Sequence, residues 1–230
     1  MLKTPYSYEA NSNNAYRNLR IPEAIEFAKR WSLDEPFASR PLNGLCYYYS
    51  LEGAYSEALT HVKKAISIDR GNNFTLRLNF LFARIQSGDV DGADMEILRL
   101  SKHQEAKKHT VHLFANLGAL AYIAGDLDRG RDSYRRAIRV ARATSSSREE
   151  ALASAFFARA ARQHGDPMAE AIINEITKSI EKLPSPGAIY VMRTLVSSDK
   201  RISLDATAAA RVAKRQWIWD AMTNTLSSLE

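Results

Sequence analysis

Gly53-Ala54-Tyr55-Ser56-Glu57-Ala58-Leu59, running on through Ala65, Ile66, Ile68 and Asp69, is a pattern that the chain uses again. A second copy reads Gly88-Asp89-Val90-Asp91-Gly92-Ala93 and runs on to Ile97 and Leu100. A third reads Gly125-Asp126-Leu127-Asp128-Arg129-Gly130 and runs on to Tyr134, Ala137, Ile138 and Val140. Gly88, Gly125 and Gly165 suit the left-handed position just past a helix end. Asp89, Asp126 and Asp166 follow at once as expected N-cap acceptors. Pro167 fits a first helical position, where its missing N–H costs nothing. A repeat of about one helix pair means helices that bury their apolar faces by stacking on neighbouring copies, an architecture used mostly for binding.

Helical periodicity flanks each glycine. Leu42, Leu45, Cys46 and Tyr49 form one stripe, and Leu59, Val62, Ala65 and Ile66 the next. Phe74, Leu78, Leu81 and Phe82 begin another, Val111, Phe114, Leu117, Gly118 and Ala121 a further one, and Leu127, Tyr134, Ala137, Ile138 and Ala141 the last regular one. A degraded copy follows: Ala151, Ala155, Phe156, Ala158 and Ala161 lead to Gly165-Asp166-Pro167, then Ala171, Ile172, Ile176 and Ile180. A partial copy stands upstream at Arg20-Ile21-Pro22-Glu23-Ala24-Ile25, with Phe27, Ala28 and Trp31; the helix expected before it, near Tyr6 to Leu19, is poorly patterned. The glycines at 53, 88, 125 and 165 are 35, 37 and 40 residues apart. The extra residues fall in Ser101 to Thr110 and Ala143 to Glu150, where longer helix ends or loops are expected.

Over roughly residues 20–181 the chain resembles the tetratricopeptide repeat (TPR) family. The copy from about Ser39 to Asn72 carries the likeness best, with Leu42, Leu45 and Tyr49 on its first helix, Gly53 at the turn, and the small residues Ala58 and Ala65 on its second. Gly130 in place of alanine, Arg70 where the family favours proline, and Arg77 and Arg84 within an apolar helix depart from the pattern. The expected fold is all-α: a right-handed α-α superhelix, a TPR-like solenoid, over residues 1–183. Its best copies are at about 39–72, 74–107 and 111–144, and its weak ones at 5–36 and 151–183. Pro184-Ser185-Pro186-Gly187 breaks it, and residues 184–230 are expected as C-terminal capping or docking helices, one over Ala188 to Val196 and one over Ser203 to Leu226, the latter patterned by Ala208, Val212, Trp219, Met222 and Leu226.

The resemblance implies a non-enzymatic scaffold, adaptor or chaperone that holds a peptide or partner protein in a concave groove lined by the first helices. Carried over position by position, the groove takes Arg40, Asn43 and Tyr47, then Leu78, Asn79 and Phe82, then His112, Ala115, Asn116 and Ala119, and finally Arg159 and Arg162. Phe82 and Ala119 are expected to pack between repeats. Members that clamp a C-terminal carboxylate pair lysine with asparagine; here the lysines are missing, which argues against that activity.

Composition agrees with a soluble helical protein. The 230 residues are 45% hydrophobic and 25% charged, with 10 Gly and 7 Pro. No stretch reaches the ~18 apolar residues of a membrane span, the polar start from Met1 to Arg20 has no signal-peptide core, and the single cysteine, Cys46, allows no internal disulfide. A cytoplasmic location is the expectation. Cys46 reads as a buried structural thiol. No phosphate loop or nucleophile elbow is present. His109 and His112 lack a third ligand nearby, and Asp89, Asp91 and Asp94 read as capping residues rather than a calcium loop. No cofactor or metal is expected.

The net charge of +6 is local: residues 129–162 hold 9 Arg and 3 acids, while the segments on either side each sum to zero. Arg131, Arg135, Arg139 and Arg142 share one helix face, with Arg129 and Arg136 beside it and Asp132 the one local acid. A solvated outer face is one reading; an anionic partner, including nucleic acid, is the alternative. A homodimer formed through Trp217 and Trp219 is a third reading.

Overall fold

The structure, a computed structural model, describes residues 7–70, 73–183, 185–195, 210 and 212–230. Every regular element among them is helical: α1 (Tyr8–Arg17), α2 (Ile21–Asp34), α3 (Ser39–Glu52), α4 (Tyr55–Ile68), α5 (Phe74–Gln86), α6 (Ala93–Ser101), a 3-10 turn (Ala106–His109), α7 (Thr110–Ile123), α8 (Leu127–Ala143), α9 (Ser147–Gln163), α10 (Ala169–Ile180), α11 (Pro186–Leu195) and α12 (Gln216–Ser227). The chain divides into two compact units, Met1–Ala83 and Arg84–Glu230, with the division inside α5. No helix among the described residues is long and apolar enough to cross a membrane.

In the first unit α1 packs on α2, α2 on α3 and α3 on α4. Small residues at the contacts let the axes approach: Ala15, Ala24, Ala28, Ala58 and Ala65 are fully buried beside Ile21, Leu45, Leu51 and Val62. Gly53 ends α3 at φ 77°, and the Ala54 amide closes the turn by donating to the Tyr49 carbonyl at 2.9 Å. The α1–α2 turn has no glycine; Leu19 takes the left-handed conformation there at φ 61°. Helix α1 is poorly patterned because it buries only Ser12 and Ala15; the Ser12 hydroxyl donates to the Ala24 carbonyl at 2.9 Å.

In the second unit α6 packs on α7 and α12, α7 on α8, and α8 on α9. Helix α9 is the hub, touching α7, α8, α10 and α11. Gly88, Gly125 and Gly165 all take positive φ where expected. The Asp126 side chain caps α8 by accepting from the Arg129 amide at 3.0 Å. Asp89 does not cap. Its carboxylate accepts from Arg84 Nε and Nη2, both at 2.9 Å, and α6 starts only at Ala93, after Gly92 in the left-handed region. Helix α10 likewise starts at Ala169 rather than at Pro167. The extra residues between copies become the 3-10 turn before α7 and an α8 extended to Ala143, followed by Ser145 at φ 56°.

Gly130, a departure from the repeat pattern, has a packing role. Tyr122 of α7 lies over Gly130 of α8, and Tyr134 of α8 lies over Gly118 of α7; a Cβ on either glycine would sit 2.6 Å from the opposing ring. Two glycines and two tyrosines thus interlock reciprocally.

At the C-terminal end, Pro186 opens α11, and Pro184 and Val196 lie outside the described residues. Of the helix expected over Ser203 to Leu226, residues 203–209 (Ala208 among them) and Arg211 lie outside the described residues, and α12 begins only at Gln216, after a non-helical Arg215. Trp219 is fully buried, its indole N–H donating to the Val212 carbonyl at 3.0 Å.

Gly130→Ala adds helix propensity of about 1 kcal/mol but forces a methyl into the Tyr122 ring. Because overpacking typically costs about 1–3 kcal/mol, net destabilisation is expected, read as a lower urea midpoint at unchanged slope. A midpoint above wild type would mean the ring moves aside freely.

Candidate functional site

The arginine block does not act as one surface. Arg131 is half-buried, donating from Nη1 to both oxygens of Asp166 at 2.7 and 2.8 Å and pairing with Asp128. Arg129 pairs with Asp126 at 3.2 Å and lies over the buried Trp219 ring at 4.7 Å. Arg136 pairs with Asp132 at 2.9 Å and donates to Ser227 Oγ at 2.7 Å. Arg142 donates twice to Glu150 Oε1, at 3.0 and 2.8 Å. Arg135 and Arg139 are exposed and make no ion pair or hydrogen bond among the described residues.

Asp166 joins α7, α8 and the α9–α10 turn. Besides Arg131 it accepts from the Tyr122 hydroxyl at 2.8 Å and the Met168 amide at 2.8 Å. Burial alone would raise its pKa, but these donors outweigh burial and hold the carboxyl below its usual 3.8. Burial and the same contact push Tyr122 well above 10.0. His164, near the Tyr122 ring, is pushed by burial from 6.5 to about 4.

The second-unit residues expected in a groove come together in part. His112, Ala115 and Asn116 lie on α7, and His112 Nδ1 stands 3.9 Å from Glu149 Oε1 at the start of α9. From there Glu149, Leu152 and Phe156 form a half-exposed stripe along the middle of α9, and the guanidinium of the buried Arg159 lies 5.4 Å over the Phe156 ring. The seven steps from Glu149 to Phe156 at 1.5 Å rise make this stripe roughly 10 Å long, with a carboxylate at one end. Asn116 is buried; its Nδ2 donates to the His112 carbonyl at 2.9 Å, while its Oδ1 has no partner among the described residues. Ala119 is buried, as expected. Arg162 turns elsewhere, donating to Glu170 of α10 at 2.7 Å. Sequence reading missed Glu149 and Leu152, and placed Phe156 in the buried set; Phe157 fills the core instead, stacked 5.3 Å from Tyr134.

The first-unit candidates are engaged within that unit. Asn79 Nδ2 donates to Asn43 Oδ1 at 2.8 Å, and the Tyr47 and Tyr16 hydroxyls share a hydrogen bond at 3.0 Å. Arg40 pairs with Glu9 at 3.2 Å and lies over Trp31. Leu78 is buried, and half-buried Phe82 meets Tyr55 edge-on.

Burial lowers the pKa of both His109 and His112, whose rings stand 5.6 Å apart. No group of three or more His, Cys, Asp or Glu side chains among the described residues is placed to hold a metal ion. Asp94, expected to cap, is buried and pairs with Arg215 at 3.3 Å. Cys46 is buried and its thiol is pushed up to about 12. Trp217 is 66% exposed, so of the two tryptophans only this one offers an outward face.

Comparison with protein-family models, with curated proteins and with solved structures found no significant match.

Asp166→Asn removes the charged partner of Tyr122 and Arg131 and should cost about 1.5–3 kcal/mol at neutral pH, the range for hydrogen bonds to charged groups. A folded pKa below 3.8 stabilises above that pH, and the gain is lost as pH falls through the depressed value. The variant's deficit, measured by urea unfolding, should therefore shrink below about pH 4; a deficit constant with pH would contradict this. His164 works in a different window. The unfolded chain takes up a proton at 6.5 that the folded chain refuses until about 4, so stability falls as pH drops between them. His164→Gln should flatten that slope, and an unchanged slope would exclude His164 as its source.

Proposed function

We propose that this protein is a non-enzymatic interaction scaffold, adaptor or chaperone of TPR-like build. In this reading its helix hairpins stack as a right-handed α-α superhelix and it holds a peptide or partner protein on the face that α7 and α9 share. One observation carries the proposal. Helix α9 is packed against four other helices, yet along its middle it keeps Glu149, Leu152 and Phe156 half-exposed on one face, with His112 of α7 near Glu149 and the buried Arg159 stacked on Phe156. A helix held by four neighbours, with large apolar side chains left at its surface, is a preorganised platform: the receptor loses little conformational entropy on binding. Leu152 and Phe156 stand one turn apart and make a short apolar ridge. Phe156 supplies an aromatic anchor of the type enriched at binding hot spots. Ala115 leaves room beside the ridge for a partner backbone. Glu149 sets direction, so the partner segment presents a basic group toward the start of α9 and an apolar side chain beside Leu152 and Phe156. A cytoplasmic protein with no bound cofactor fits this reading.

The test is selection from a displayed random-peptide library on wild type, counter-screened on Leu152→Arg, which plants a charge in the middle of the stripe. Recovered peptides should be apolar at the centre with a basic group at one end. They should lose at least about tenfold in affinity on Phe156→Ala, the scale of a hot-spot truncation, with the helical signal unchanged. Peptides that bind Leu152→Arg and wild type equally, or a library that yields none, would overturn the proposal.

A further inference from the structure

We infer that the cleft between α8 and α10 is a binding site for the head group of a single phosphate monoester, gripped by Arg135 and Arg139. Arg135, Ile138, Arg139 and Arg142 of α8 form one wall, Glu175, Ile176 and Ser179 of α10 the other, and Ser154 and Phe157 of α9 the floor; the cleft is about 230 Å³. Sorting the arginine block by partner isolates this site. Four of the six arginines on α8 are held by carboxylates of the chain, Arg129 by Asp126, Arg131 by Asp166, Arg136 by Asp132 and Arg142 by Glu150, whereas Arg135 and Arg139 are held by none among the described residues. Like charges four residues apart on a helix repel, and the fold gives neither arginine an ion pair among the described residues, with Glu175 the one carboxylate lining the cleft. An anion between them relieves that repulsion.

The pair also selects the kind of anion. One guanidinium fork satisfies both oxygens of a carboxylate and would leave the second arginine unmatched. A phosphate monoester carries close to two negative charges and three terminal oxygens, enough for both forks. Glu150 braces Arg142 at the end of the wall through two hydrogen bonds to one oxygen. Glu175 on the opposite wall limits the site to one anionic group. A nucleic-acid strand needs several phosphate contacts along its length, and α8 offers two unpaired arginines facing a carboxylate. The head group is common to small phosphate esters and to phosphorylated side chains, and the test separates these sources.

The full chain, labelled with 15N, is titrated with sodium phosphate and with sodium chloride at matched ionic strength. Saturable amide shifts at Arg135, Arg139, Ser154 and Ser179 are expected with phosphate and not with chloride. Arg135→Gln with Arg139→Gln should weaken phosphate binding at least about tenfold, since hydrogen bonds to charged groups are the strong ones. Glu175→Gln should tighten it, because a like charge leaves the cleft. Glycerol phosphate and a phosphoserine peptide then compete with phosphate; displacement by either supports the site, and the tighter one names the source. Equal shifts with chloride, binding unchanged in the double variant, binding unchanged in Glu175→Gln, or an oligonucleotide that outcompetes phosphate with a steep salt dependence would each overturn the assignment. Leu152 and Phe156 lie on another face of α9, so failure here leaves the peptide selection unaffected, and the reverse holds.

Discussion

The mutual seating of Tyr122 over Gly130 and Tyr134 over Gly118 is the contact on which the second unit depends. Two aromatic rings can lie between helices as close as α7 and α8 only if each finds bare backbone opposite it. Once seated, the rings organise what surrounds them. The Tyr122 hydroxyl reaches the Asp166 carboxylate at the turn between α9 and α10, and Tyr134 stacks on Phe157 of α9. Asp166 then engages Arg131. A glycine that departs from the repeat pattern thus decides which arginine of α8 is consumed inside the protein and, by subtraction, which remain outside.

The same geometry gives α9 two faces with different work. Ser154 and Phe157 close the floor of a cationic cleft, while Glu149, Leu152 and Phe156 lie open beside α7. Both surfaces are built on a helix held by four neighbours, so side chains on either have fixed backbones beneath them. Charge is divided in the same way. The +6 of the chain resides in one segment, yet most of the arginines that α8 contributes to that segment are paired, leaving a small focus of field rather than a broad basic surface.

Helix class and most hairpin turns could be read from residues because glycine has few other reasons to recur at such spacing, and Gly53, Gly88, Gly125 and Gly165 all adopt the expected conformation. Leu19, Arg70 and Ser145 take the same left-handed geometry without glycine, so those turns left no mark in the sequence. Periodicity could not separate Phe156 from Phe157. Adjacent helical residues differ by about 100°, less than the width of an apolar face, and the deciding contact, Tyr134, is far away in sequence. Helix spacing put Arg131, Arg135, Arg139 and Arg142 on one face, but their fates depend on Asp166 and Glu150, which lie outside α8. His112, Ala115 and Asn116 were named from the resemblance alone, whereas Glu149 was not named, because its relation to His112 is a matter of tertiary packing.

Because α9 is the common neighbour of α7, α8, α10 and α11, it cannot open without disturbing all four, whereas α1, with only Ser12 and Ala15 buried, can fray alone. Amide protons of α9 are therefore expected among the slowest-exchanging in the second unit.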